Sequence, residues 1–294
     1  MSSILVTGAA GQFGRLVLDA LLASGNIAPA DIVAASRDTT KLADYAEKGV
    51  TLRTADFDDP STLDAAFTGI DRALIISTDA LGVPGKRLAQ HTNAVAAASK
   101  AGIGRLFYTS MPNPETSAVT FAPDHAGTEE AIKASGLPYT ILRNSWYMEN
   151  LFMSLPQTLQ GGVWYTSAGN GRTSYIARAD LAAATAALLL ADASESVTLT
   201  LTGPVAVDTA DVARLVTDIT GKPLTIVDVT DEQLADGMAG AGVPAFLIPT
   251  FVSFDTNARL GQIEIVTNAV ETATGKPSKT LEAFLRENRA ALEG

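Results

Sequence analysis

The chain of 294 residues carries 21 Lys and Arg against 32 Asp and Glu, a formal net charge of −11, with no cysteine and two histidines. That balance repels a phosphate backbone and no Lys/Arg cluster offsets it, which excludes nucleic acid as a direct partner. Without cysteine there are no disulfides, thiolate nucleophiles or thiolate metal sites, and so few histidines argue against a metal of any kind.

Taken in chain order, "ILVTG" (4–8) reads as a short apolar strand, and "FGRLVLDALLASG" then places Phe13, Val17, Ala20, Leu21 and Ser24 at helical spacing, closed by Gly25. A second strand, "IVAASR", is followed by a polar helix over 42–48. A third, "VTLRTAD", leads to a short helix over 61–67, and a fourth, "RALIIST", to a long helix through "HTNAVAAASKAG". "RLFYTS" is strand five, 122–135 helix five and "YTILRN" strand six. Strands alternating with helices require right-handed crossovers, so the fold class is α/β: a Rossmann-type doubly wound parallel sheet covered on both faces.

Beyond Asn144 the pattern loosens. "GGVWYTSAGNGRTSYI" is turn-rich, "LAAATAALLLA" (181–191) is a buried helix too short to span a bilayer, and "VTLTLTGP" is a lone strand before a helix over 209–220. In "AGAGVPAFLIPTFVSF", Pro244 and Pro249 break any long element while large apolar residues cluster, as suits a lid or substrate pocket. The expected division is a dinucleotide-binding domain over 1–145 and a smaller, interlocked α/β substrate-binding region over 146–294, some of whose elements pack back on the first sheet. The N-terminus "MSSILVTGAAG" has no basic n-region, which points to a first strand rather than a signal peptide and to a cytoplasmic, non-membrane protein, monomeric or homodimeric.

Gly8, Gly11 and Gly14 stand between a strand and a helix. There glycine permits a tight turn, close approach to a pyrophosphate and tight helix packing, while the helix N-terminus supplies free N–H groups. The second strand ends in Ser36 and Arg37 rather than an acidic residue, which favours a ribose 2′-phosphate and hence NADPH over NADH. The bland alternative pairs Arg37 with Asp38 or Glu47. Asp56 at the end of strand three can accept from an adenine amino group or simply shape a turn. Topology puts Ser77 and Thr78, after strand four, at the mouth of the same cleft. Candidate cofactor contacts are therefore Gly8, Ala10, Gly11, Gln12, Phe13, Gly14, Ser36, Arg37, Asp56, Phe57, Ser77, Thr78, Ser110 and Asn144, the last of which is equally well a strand-end turn residue.

With these segments in place, "VTGAAGQFG", "SRD", "ADFDDPSTL", "LIIST", "FYTS", "HAGTEEAIKASGLPYTILRN" and "WYMEN" together resemble the NmrA-like group of atypical short-chain dehydrogenases/reductases. Within that group the chain is most similar to type 2 NAD(P)H:quinone oxidoreductases and triphenylmethane dye reductases. The resemblance implies NADPH as hydride donor and a quinone or similar electron-poor conjugated acceptor. It also implies that His125 and Glu129 stand where most short-chain dehydrogenases carry a tyrosine and a lysine, and that Ser110 matches the usual third member. A ketone reduced to an alkoxide needs a positioned acid, whereas a quinone becomes a stabilised anion, so loss of the tyrosine–lysine pair suits the latter. Candidate catalytic residues are His125, Asn144 and Tyr147. Trp146, Tyr147, Met148, Phe246, Phe251 and Phe254 are candidate walls for a flat ring, although core packing explains each equally well. His125 and Glu129 share a helical stripe with Phe121, Thr128 and Ile132, while Glu129 also precedes Lys133 by four residues, the spacing of a surface pair. The alternative function is a non-catalytic NADP(H)-sensing regulator.

Overall fold

The computed structural model describes residues 3–193 and 195–293. Strands and helices alternate from the start: β1 (Ile4–Val6), α1 (Gln12–Ser24), β2 (Ile32–Ser36), α2 (Ala43–Glu47), β3 (Thr51–Thr54), α3 (Pro60–Phe67), β4 (Arg72–Ile75), α4 (Lys86–Ala101), β5 (Arg105–Ser110), α5 (Ala122–Ala134) and β6 (Tyr139–Asn144). Next come α6 (Leu155–Gly161), β7 (Val163–Thr166), α7 (Arg178–Leu190), β8 (Val197–Leu201), α8 (Thr209–Thr220) and β9 (Thr225–Asp228). Five helices finish the chain: α9 (Asp231–Gly240), α10 (Ile248–Arg259), α11 (Ala269–Thr274), α12 (Leu281–Glu287) and α13 (Arg289–Glu293). Among the described residues no helix is long and apolar enough to cross a membrane.

The chain divides into two compact units, each built from three segments: Met1–Met111, Asp124–Arg143 and Leu181–Leu199 in the first, Pro112–Pro123, Asn144–Asp180 and Thr200–Gly294 in the second. The main sheet runs β3-β2-β1-β4-β5-β6-β8, and β1 to β6 pair in parallel. The order reverses between β1 and β4, the switch point at which open α/β sheets bind ligands beyond the carboxyl ends of their strands. The strand expected to stand alone, β8, is instead the edge of this sheet, beside β6. In the first unit Arg72 and Arg105, paired across β4 and β5, hold the last turn of α7 and the segment after it, donating to the carbonyls of Leu189, Ala191, Ala193 and Glu195.

The first unit's core is built by Leu5, Leu63, Phe67, Ile75, Tyr108 and Ile141, all fully buried. Helix α1 turns Phe13, Val17, Leu18 and Leu21 inward, whereas Ser24, expected on that stripe, lies exposed. Gly25, in the left-handed region at φ 66°, ends it as the sequence anticipates.

The second unit has its own core around Met148, Leu155, Val216, Phe284 and Leu285. Its small parallel sheet pairs β7 with β9. Pro249 does not break the tail: it occupies the first turn of α10, where its missing N–H costs nothing because those donors lack helical partners anyway.

Candidate functional site

In the first unit β1 runs into a tight turn at Gly8 (φ 60°), and Gly11 caps α1 with no side-chain hydrogen bond and no acidic residue in the first turn. The leading N–H groups and the positive end of the helix dipole are thereby left for an anion. Gly14 has a different task. A Cβ there would stand 2.4 Å from the Gly8 carbonyl oxygen and 2.7 Å from the Ala9 Cα, so only glycine lets the helix sit this close to the loop. Gly8, Gly11 and Gln12 are exposed and Ala10 is half-buried, whereas Phe13 faces the core.

Two further strand ends carry expected cofactor contacts. At the end of β2 the Ser36 hydroxyl accepts from the Asp38 N–H (3.4 Å). Arg37 is exposed and makes no hydrogen bond or ion pair among the described residues. Asp38 is engaged elsewhere, accepting from the Thr40 N–H (3.1 Å) and hydroxyl (2.5 Å), so neither Asp38 nor Glu47 pairs with the arginine. Asp56 uses one carboxylate oxygen to accept from the Asp58 N–H (3.0 Å), forming a turn. Phe57 turns into the core, with its carbonyl accepting from Asn93.

After β4 the Ser77 N–H donates to Thr109 Oγ1 (2.9 Å) and the Thr78 N–H to His91 Nε2 (3.0 Å). The Thr78 carbonyl accepts from Arg87 Nε (2.7 Å).

The "DHAGTEE" face of α5 is buried. His125 lies with its Nε2 2.9 Å from an Arg87 guanidinium nitrogen and its Nδ1 2.8 Å from the Tyr108 hydroxyl. A guanidinium only donates, so Nε2 accepts, the imidazole is neutral and Nδ1–H donates to Tyr108. Burial first, then the Arg87 charge and the neighbouring His91, hold His125 well below the usual histidine range. The same causes, burial and then Arg87, push His91 down to about 3.

Glu129 does pair with Lys133, as the i, i+4 spacing proposes, but from a buried position and not as a plain surface pair. Only 1% exposed, it accepts from Arg143 Nε (2.9 Å) and Nη2 (2.7 Å) and from the Ser110 hydroxyl (2.6 Å), with Lys133 farther off at 3.5 Å. The β5–β6 register, which pairs Ser110 with Arg143, brings both to the carboxylate. Ser110 is therefore committed to Glu129.

In the second unit Asn144 is 4% exposed, and neither its amide nitrogen nor its amide oxygen has a partner among the described residues. Trp146 meets Phe254 edge to face at 5.0 Å, and Phe121 and Phe251 approach the same ring at 6.2 and 6.1 Å. Phe121 is carried there by the segment before α5: Ser117 Oγ and the Ala118 N–H both donate to Asn257 Oδ1, at 2.8 and 3.1 Å. The other expected wall residues separate. Met148 is fully buried in the core, Phe246 is 61% exposed, and Tyr147 stacks under the Arg178 guanidinium at 4.8 Å. Among the described residues no three His, Asp or Glu side chains group as a metal site.

Sequence reasoning missed Arg87, His91, Tyr108 and Arg143. The one available signal was that a chain with two histidines puts its other one, His91, on the helix that follows the fourth strand.

A family model described as NmrA-like family matches residues 1–285. Quinone oxidoreductase 2 of Escherichia coli (strain K12) is 33% identical over 278 residues, 95% of this chain and 96% of that protein. The structure of an NADPH-dependent quinone oxidoreductase from Escherichia coli complexed with NADPH superposes with a TM-score of 0.91 at 32% identity, covering 99% of this chain and all of the other (100%). The triphenylmethane reductase of Citrobacter sp., complexed with NADP(H), gives 0.87 at 29% identity over 97% of this chain and 99% of its own.

Proposed function

We propose that this chain, which belongs to the NmrA-like family, is an NADPH-dependent reductase that delivers hydride to quinones or related electron-poor conjugated acceptors. The residues present fit the cofactor. The uncapped α1 N-terminus behind Gly8 and Gly11 would hold the pyrophosphate, and Arg37, exposed and without a hydrogen bond or ion pair among the described residues, would hold the 2′-phosphate. Asn144, whose amide has no protein partner among the described residues, offers both a donor and an acceptor to the nicotinamide ribose or an acceptor oxygen. When bound, NADPH supplies the hydride.

One observation carries the choice of acceptor: both side chains at the positions of the usual acid pair are locked. His125 is a neutral imidazole with each ring nitrogen engaged, and Glu129 is neutralised by Arg143 while holding the Ser110 proton. No group there is poised to protonate an alkoxide, which directs the chemistry to acceptors whose reduced form is a stabilised anion that water protonates later. In the second unit Trp146 and Phe254, half-buried and packed edge to face, offer apolar ring surface of the kind such an acceptor packs on.

The test is oxidation of NADPH by the purified protein against a panel of quinones and a panel of simple ketones. Turnover with quinones and none with ketones is the expected result. No oxidation above background with any quinone, while NADPH still binds, overturns the reading and leaves a dinucleotide-binding regulator.

A further inference from the structure

Thr78 is held in an unusual way for a residue following a sheet strand: both its backbone groups are taken by side chains. Its N–H donates to His91 Nε2 at 3.0 Å, and its carbonyl accepts from Arg87 Nε at 2.7 Å. The residues just before it are tied to the glycine loop. Ile76 donates its N–H to Thr7 Oγ1 at 3.1 Å, and a Cβ placed on Gly8 would lie 3.4 Å from the Ile76 Cβ. Whatever fixes Thr78 thus fixes the wall that runs on from the phosphate turn.

The two side chains that do so are themselves braced. Arg87 donates a second time, to His125 Nε2 at 2.9 Å, and His125 Nδ1–H donates to the Tyr108 hydroxyl at 2.8 Å. His91 Nε2 faces a backbone N–H, which can only donate, so its proton sits on Nδ1 and is given to Thr128 Oγ1 at 3.0 Å. Thr128 passes its own proton to the Asp124 carbonyl at 2.6 Å. Arg87, His91, Tyr108, His125 and Thr128 are each at most 5% exposed. Arg87 thus donates both to Thr78 and to His125, while the Thr78 N–H donates inward through His91 to Thr128 and the Asp124 carbonyl, so the buried side chains of Arg87 and His91 meet at one residue, Thr78.

We propose that Arg87 and His91 are positioning residues for the dinucleotide, holding the Ser77–Thr78 turn at the height the nicotinamide half requires, with His125 and Tyr108 as their backing. This rests on the NADPH reading above. A packing role alone would consume the same buried volume without needing an acceptor at the Nε2 place of His91.

That difference is testable. In His91→Gln the amide oxygen reaches about where Nε2 stood and can accept from Thr78; in His91→Asn the shorter amide reaches only the Nδ1 place; His91→Leu has no acceptor, and Arg87→Met no donor. NADPH affinity of each folded variant is measured by fluorescence titration, kcat and KM with a quinone by steady state, and protection of the Thr78 amide by hydrogen exchange. The expected result is a roughly tenfold or greater rise in Kd and KM for the Leu, Asn and Met variants with kcat within about threefold, loss of Thr78 protection, and recovery in His91→Gln to within about threefold. Should His91→Leu fail to fold, the Gln against Asn comparison decides. Equal affinity in Gln and Asn, or affinities in Asn and Met within about twofold of the parent, overturns the inference while leaving the cofactor reading intact. Failure of the parent protein to bind NADPH overturns both.

Discussion

Lowering the pH from 7 to 5 should destabilise this protein through its two histidines alone. Both imidazoles are buried and neutral, His91 pushed down to about 3 and His125 well below the usual range, so neither takes up a proton in this window while the chain is folded. In the unfolded chain each titrates near ~6.5, so the unfolded state binds more protons and stability falls with falling pH. Integrating over the window gives about 2 kcal/mol per histidine and about 4 kcal/mol for the pair, a large part of the ~5–15 kcal/mol typical of a domain. The raised carboxyls Asp124 and Asp255, shifted chiefly by burial, act in the opposite sense, since folding favours their protonated form as pH drops. Urea unfolding at pH 7, 6 and 5 measures the slope, and His91→Gln/His125→Gln, which contains no histidine, isolates its source. The parent should lose about 4 kcal/mol more than the double variant between pH 7 and 5. Equal losses would refute the neutral-imidazole assignment.

Four further outcomes are expected. Arg37→Ala should narrow the NADPH over NADH preference roughly ten- to a hundredfold, the worth of a charge-assisted bond of ~1.5–3 kcal/mol, as read from the two Kd values. Gly14→Ala drives a Cβ against the Gly8 carbonyl at 2.4 Å, backbone that must shift, so NADPH binding by titration should fall about a hundredfold or more. Glu129→Gln removes the buried carboxylate charge that accepts from Arg143 Nε and Nη2 and should cost about 1.5–3 kcal/mol in denaturant unfolding, while a surface-pair role would cost about 0.5 kcal/mol or less. Asn144→Ala should lower kcat by about tenfold or more with little change in melting temperature, since no described protein group loses a hydrogen bond; equal loss of both would mark a structural residue.

The parts legible in the sequence are those written in local spacing. The strand–glycine–helix opening, the Arg37 strand end and the six alternating strands follow from periodicity and turn chemistry, and the β5 and β6 segments were bounded correctly by their apolar runs. The surroundings of His125 and Glu129 were not legible, for a definite reason. Helical spacing sees only partners three and four residues away, so it offered Lys133, whereas the pairing of Ser110 with Arg143 across two strands delivered the buried partners. Arg87 likewise reaches His125 from a different helix, 38 residues earlier. In the C-terminal half, α11, α12 and α13 are at most seven residues long, too short for a period to register, and β9 has just four.

The late arrival of β8 has a consequence for synthesis. Its place is beside β6, yet roughly fifty residues separate the end of one from the start of the other. At about 5–20 residues per second, a ribosome leaves β6 as an unpaired edge for several seconds, with Arg72 and Arg105 still lacking the carbonyls of Leu189, Ala191, Ala193 and Glu195 that they will later grip. An exposed parallel edge is a template for another nascent chain. A gene cut after residue 145 would make that transient permanent, so the first unit is to be isolated, if at all, by grafting 181–199 onto it rather than by truncation.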